Sequence, residues 1–145
     1  MTSQKKKEVE KLLNIDLDDY CVTDDEYDWL WQWFGMRKNR IPRDVQKKWA
    51  ECFTTLLDNT SFHPFFSKED ALIWVAQHDS CVIRISSSCT GSISITCKKD
   101  KSKKLVHIRL FITKDGLLSW DVKNDQCKIK VKYINYLIER IKMFS

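Results

Sequence analysis

A chain of 145 residues with 43% hydrophobic and 12% aromatic residues is enough for one domain with a packed core, and three glycines and two prolines exclude long disordered linkers. The formal charge of +5 permits an acidic partner without identifying one. No apolar run reaches membrane-spanning length and no apolar stretch follows Met1–Glu8, so a soluble protein with no membrane partner is expected, in the cytoplasm, or in a host's cytoplasm if the source is microbial.

In chain order, Ser3 to Leu13 reads as a short charged helix with a thin apolar edge of Val9, Leu12 and Leu13. Ile15 to Asp25 is acidic and reads as loop. Thr23-Asp24-Asp25-Glu26 is a capping box, so a helix is expected from Asp24 to about Lys38. Its Trp29, Leu30, Trp31, Trp33 and Phe34 are too many for one stripe, which implies burial on two sides. Pro42 suits a first helical turn, and Val45, Trp49, Cys52, Phe53, Leu56 and Leu57 recur at helical spacing from Arg43 to about Leu57. A further helix is expected from Ser67 to about His78.

Cys81 to Ile85 reads as a strand in a packed sheet, yet it contains Arg84. A guanidinium in a half-buried strand is costly unless an anion meets it. The loop that follows, Ser86-Ser87-Ser88-Cys89-Thr90-Gly91, supplies hydroxyls and backbone N–H groups suited to an anion. Ser92 to Cys97 alternates, as does Leu105 to Ile112. An antiparallel meander of the three strands places Ile83, Ile85, Ile93, Ile95, Cys97, Val106, Ile108 and Leu110 on one face, and Arg84, His107 and Arg109 on the other. Such a positive, hydroxyl-rimmed pocket suits a doubly charged phosphate monoester. The competing reading is an internal salt bridge from Arg84 to Glu69, Asp70 or Asp79. Beyond these strands, Lys98–Lys104 reads as a solvated hairpin tip and Lys114-Asp115-Gly116 as a turn. Leu117 to Val122 reads as a strand, Lys123 to Lys128 as a basic loop, and Val131 to Met143 as a closing helix. The six cysteines lack Cys-x-x-Cys pairs, so free buried thiols in a reducing compartment are expected, with no metal and no cofactor.

Val82-Ile83-Arg84-Ile85-Ser86 with Ser87-Ser88 and Gly91, a preceding helix, Leu105-Val106-His107-Ile108-Arg109 and a closing helix resemble the Src-homology-2 (SH2) family, from roughly Phe62 to Ser145. The resemblance implies an α+β fold in which a central antiparallel sheet is flanked by two α-helices. Here an N-terminal helical extension (1–60) precedes the SH2-like part (61–145). Trp31-Gln32-Trp33-Phe34 and the later Trp49 resemble the linker before the SH2 domain of STAT proteins, although the stretch from Trp49 to Lys68 is longer, His107 is closer to Src-like domains, and the STAT tyrosine tail is lacking.

The resemblance further implies phosphotyrosine-peptide binding without catalysis, as in a signalling adaptor. Arg84 would grip two phosphate oxygens, with Ser86, Ser87 and Ser88 donating from the loop. Lys68 and Arg109 would flank the phosphate or cover the tyrosine ring, and His107 would play a supporting part. Trp120, Tyr133 and Tyr136 would line a second pocket for residues after the phosphotyrosine. The partners implied are tyrosine-phosphorylated proteins met by a monomer. The alternative is an SH2-like scaffold with a vestigial pocket that docks a protein through its helical extension. Nucleic-acid binding is disfavoured because the aromatics lie mainly in helices. An enzyme is disfavoured because no nucleophile has a base and orienter, and Cys89 lacks the Cys-x5-Arg spacing of a phosphatase. Tyr20, set among acids, is a candidate self-ligand if phosphorylated.

Overall fold

The computed structural model describes residues 3–37, 41–86, 88–122 and 125–143, the side chains of 121–126 excepted. Among the described residues the fold is α+β, with five α-helices and one five-stranded antiparallel sheet. Among the described residues no helix is long and apolar enough to cross a membrane.

The N-terminal helices form where their caps demand. In α1 (Gln4–Leu13) the Ser3 hydroxyl accepts from Lys6 N–H at 3.1 Å, and Val9, Leu12 and Leu13 are buried. In α2 (Asp24–Trp33) Thr23 Oγ1 accepts from Glu26 N–H while Glu26 Oε1 accepts from Thr23 N–H, a complete capping box. This helix stops five residues short of the expected Lys38. Gly35 adopts φ +68°, its N–H returns to Gln32 O, and Met36 N–H returns to Trp31 O. That left-handed Schellman ending satisfies carbonyls that a longer helix would have used. The two-sided burial of α2 is evident in its tryptophans. Trp31 Nε1 donates to Glu8 of α1 at 2.5 Å, whereas Trp33 packs among Phe34, Trp49 and Phe53. Next, α3 (Arg43–Leu56) buries Trp49, Ala50, Cys52, Phe53 and Leu56 at helical spacing.

The sheet is a meander of β1 (Val82–Ile85), β2 (Ser92–Lys98), β3 (Leu105–Ile112), β4 (Leu117–Val122) and β5 (Asp125–Lys130). Its free β1 edge is covered by the chain before α4 (Lys68–His78): Phe62 bridges Ile83 in parallel, with His63 N–H on Ile83 O and Ile83 N–H on Ser61 O, each 2.8 Å. The strand β5 replaces part of the expected basic loop. Its alternation is only Cys127 and Ile129 among polar residues, and it is held by pairing with β4, Leu118 opposite Ile129 and Trp120 opposite Cys127. After a short 3-10 turn (Val131–Tyr133), α5 (Ile134–Met143) closes the chain.

The two sheet faces differ in chemistry. Ile83, Ile85, Ile93, Ile95, Cys97 and Leu110 pack with Leu118 and with Ile134, Leu137 and Ile138 of α5. Each such side chain contributes about 1.5–3 kcal/mol when buried. The same cluster continues through Phe53, Trp49 and Trp33 to Leu12 and Val9, so the helical extension and the sheet share one core. On the opposite face Val82 packs against Ala71 and Val75 of α4. Apart from Leu105, Phe111 and Leu117, the remaining β2–β4 positions of that face that are described are polar, and the face carries the candidate site.

Candidate anion-binding site

Strand register assembles the site. Arg84 lies opposite Ser94, which lies opposite Arg109; one step along, Val82, Thr96 and His107 form the next row. Arg84 is only 6% exposed. No carboxylate among the described residues pairs with it, and its buried Nε has no hydrogen-bond partner. Of the three competing carboxylates, Asp79 pairs with Lys98 at 3.5 Å, and Glu69 and Asp70 stand in the first turn of α4 without an ion pair. Ser94 Oγ is likewise buried and unpartnered. Leaving such donors unmet costs about 1–3 kcal/mol each, more for a charged group, and two of them stand in this one row.

The electrostatics are uniformly positive. Burial first, and the Arg109 charge second, pull the Arg84 pKa down from its ordinary value. The His107 ring is half-buried, with Nδ1 2.9 Å from Thr96 Oγ1. Its pKa is lowered by burial, then by the charges of Arg84, Lys68 and Arg109 in that order. All four residues therefore belong to one electrostatic cluster. Lys68, exposed at the start of α4, is brought there because Ser67 caps the helix, accepting from Asp70 N–H at 3.0 Å. Arg109 is exposed at the rim and its Nη1 donates to Cys89 Sγ at 3.5 Å.

The loop after β1 departs from the simplest expectation. Ser86 is buried and its Oγ accepts the N–H groups of Ser88 (3.3 Å) and Cys89 (3.2 Å), so these two donors point at the chain itself instead of standing free for a ligand. Ser86 Oγ and Ser88 Oγ lie 3.3 Å apart, which leaves the exposed Ser88 hydroxyl as the outward group. Ser87 lies outside the described residues. Gly91 has φ +64° and its N–H reaches Trp33 O at 3.2 Å, while a Cβ there would overlap the Trp49 ring. Glycine at 91 thus answers the tryptophans of the helical extension.

The second pocket was expected across the sheet edge, toward the closing helix. Trp120 packs into the shared core, on the face away from Arg84. Tyr133 and Tyr136 are exposed, under Lys132 and Arg140 respectively, and among the described residues no ring contact joins the three aromatics. Part of the basic stretch expected to border them lies outside the described residues. Two surface concavities lie elsewhere. One of about 300 Å³ is lined by Tyr20, Val22, Phe53, Leu57 and Phe65; the other, of about 490 Å³, by Lys7, Lys11 and Arg43. His63 stacks on Phe66, and His78, exposed at the end of α4, stacks on Trp74.

No group of His, Cys, Asp and Glu among the described residues is arranged to hold a metal ion. All six cysteines are free, but only Cys52, Cys81 and Cys97 are buried; Cys21 is exposed, and Cys89 and Cys127 are partly so. The role of Ser94 was not assigned from sequence, although the alternation of Ser92, Ser94 and Thr96 placed it on the arginine face. The contact between Arg109 and Cys89 had no sequence signal, since it depends on how the loop folds over β3. No protein-family model, curated protein or solved structure matches the chain.

Proposed function

We propose that the protein is a non-catalytic phosphotyrosine reader of SH2 type. The observation that carries this reading is the buried Arg84, unpaired with any carboxylate among the described residues and grouped with Lys68, His107 and Arg109. A phosphate dianion on a rigid aryl stem reaches such a recessed guanidinium, whereas the shorter phosphoserine leaves the charges apart. Arg84 grips two oxygens in a fork lysine cannot copy. Arg109 and Lys68 neutralise the remaining charge from the rim, and the Ser88 hydroxyl adds a neutral donor. Further support comes from the arrangement around the site: an edge segment parallel to the arginine strand, α4 against the arginine face, and α5 against the other. Free thiols favour a reducing compartment, here taken as the cytoplasm.

A few charge-assisted bonds of about 1.5–3 kcal/mol each, less desolvation, give roughly micromolar affinity. Fluorescence-polarisation titration with phosphotyrosine peptides, matched against tyrosine and phosphoserine peptides, tests the proposal. Binding confined to the phosphotyrosine set, with a loss of about a hundredfold in Arg84→Ala, is the expected result; equal binding of all three sets would falsify it.

One observation favours a second reading. The loop N–H groups of Ser88 and Cys89 are already used by Ser86, as in a pocket that has lost its ligand, and the 300 Å³ concavity lies where the helical extension meets residues 62–66. A scaffold of this kind captures its partner unchanged by Arg84→Ala and loses it on substitution of Tyr20 or Phe65.

A further inference from the structure

The mouth of the proposed phosphate site contains a thiol that phosphate recognition does not use. Cys89 is partly exposed, and its N–H bond to Ser86 Oγ at 3.2 Å ties its backbone to the end of the arginine strand. Its sulfur receives Arg109 Nη1 at 3.5 Å and lies 3.9 Å from Ser88 Oγ. Two strands from Arg109, across Ser94, Arg84 is more than nine-tenths buried with Nε unpartnered. Thiols that exchange with disulfides sit in electropositive, partly open surroundings of this kind; buried thiols such as Cys52 and Cys97 are inert.

Resting on the phosphotyrosine reading, we propose that Cys89 is a modification site at which a small anionic disulfide, such as glutathione disulfide, closes the pocket. The Cys89 sulfur gives up its proton and attacks one sulfur of the disulfide. The Cys89–sulfur bond forms as the original S–S bond breaks, and the departing thiolate takes up a proton, so the incoming disulfide is itself the oxidant. The attached glutathionyl group brings two carboxylates to a site whose three cations pair with no carboxylate among the described residues. They occupy Arg84 and Arg109 where phosphate would bind, and a reducing thiol reverses the step.

The exposed Cys21 is the internal control, because it lies among Asp18, Asp19, Asp24 and Asp25 and should repel the same reagent. Whole protein is treated with glutathione disulfide or with cationic cystamine, the adducts are mapped by peptide mass, and phosphotyrosine-peptide affinity is read before and after. Cys89 should react faster with glutathione disulfide than with cystamine, and Cys21 in the reverse order. Excess phenyl phosphate should slow Cys89 and leave Cys21 unaffected. The Cys89 adduct should weaken peptide binding by about tenfold or more, with recovery on reduction, while in Cys89→Ser the affinities with and without disulfide should coincide. The inference is overturned if Cys89 shows no anionic preference, or if the adduct binds peptide as tightly as the reduced protein. Reduced protein that binds no phosphopeptide overturns the underlying reading instead.

Discussion

Arg84 is held in the sheet at a cost to the fold. Its buried Nε lacks a partner and the Arg109 charge acts on it, so both desolvation and repulsion oppose folding. Arg84→Met keeps the length and apolar stem of the side chain and removes the charge. It should stabilise the protein by about 1–3 kcal/mol in urea unfolding while abolishing phosphopeptide binding. A destabilised methionine variant would show that the guanidinium serves the fold. His107 permits a second test. Its pKa is depressed by burial and by Arg84, Lys68 and Arg109, so the unfolded chain binds more protons than the folded one near and below the ordinary histidine value of about 6.5. Its contribution to stability is thus complete above that pH and lost as pH falls towards the depressed folded value. A bound phosphate offsets the three cations, returns the His107 pKa upward and couples binding to proton uptake. Peptide affinity should therefore rise modestly from pH 7.5 to 6.5 in the wild type and stay flat in His107→Gln; identical profiles would remove His107 from the site. The arginine itself was legible in the sequence because its charge contradicts its apolar neighbours. The capture of two loop N–H groups by Ser86 was not, because a serine-rich loop specifies many turns equally well.

Between the arginine strand and β2, the loop is fixed from outside, by α2 and α3. Gly91 N–H bonds Trp33 O, Trp33 Nε1 bonds Ser92 O at 2.8 Å, and the Trp49 ring fills the place a Cβ would need at 91. Gly91→Ala meets both a left-handed backbone and that ring, so a loss of about 2–4 kcal/mol is expected in thermal or chemical unfolding. Part of it should return when Trp49 is shortened to leucine in the same chain, because the steric share of the cost disappears while the backbone share stays. Equal losses in the two backgrounds would assign the whole effect to backbone conformation. Strongly periodic elements were readable from sequence: α1, α3, α4 and the three strands around Arg84 lie where alternation and capping put them. Two failures share a cause in local competition. Gly35 ended α2 short of the expected Lys38, and β5 formed from a lysine-rich stretch whose pairing with β4 outweighs its weak alternation.

At the scale of the molecule, the helical extension and the sheet are bound by one core. Among the described residues, half of those buried in the main cluster precede residue 61. Several act directly on the sheet: Trp33 and Trp49 on the loop after β1, and Phe53 on Phe62 at the β1 edge, ring centroids 5.4 Å apart. The division into an extension of 1–60 and a unit of 61–145 was implied by the resemblance, which spans the chain only from about Phe62. Periodicity marks where elements change type; it does not report which buried faces meet. Removing residues 1–60 strips three large aromatics from the apolar side of the sheet, and at about 1.5–3 kcal/mol each this rivals the 5–15 kcal/mol by which domains are stable. The isolated 61–145 segment is therefore expected to lack a cooperative thermal transition and to bind a hydrophobic dye, whereas the whole chain melts in one step without binding it. A folded 61–145 segment that still recognises phosphotyrosine would mean the extension is an accessory to the site. Failure of the segment to fold would make the tryptophan helices part of what holds Arg84 in place, since β1 and its loop are shaped against them.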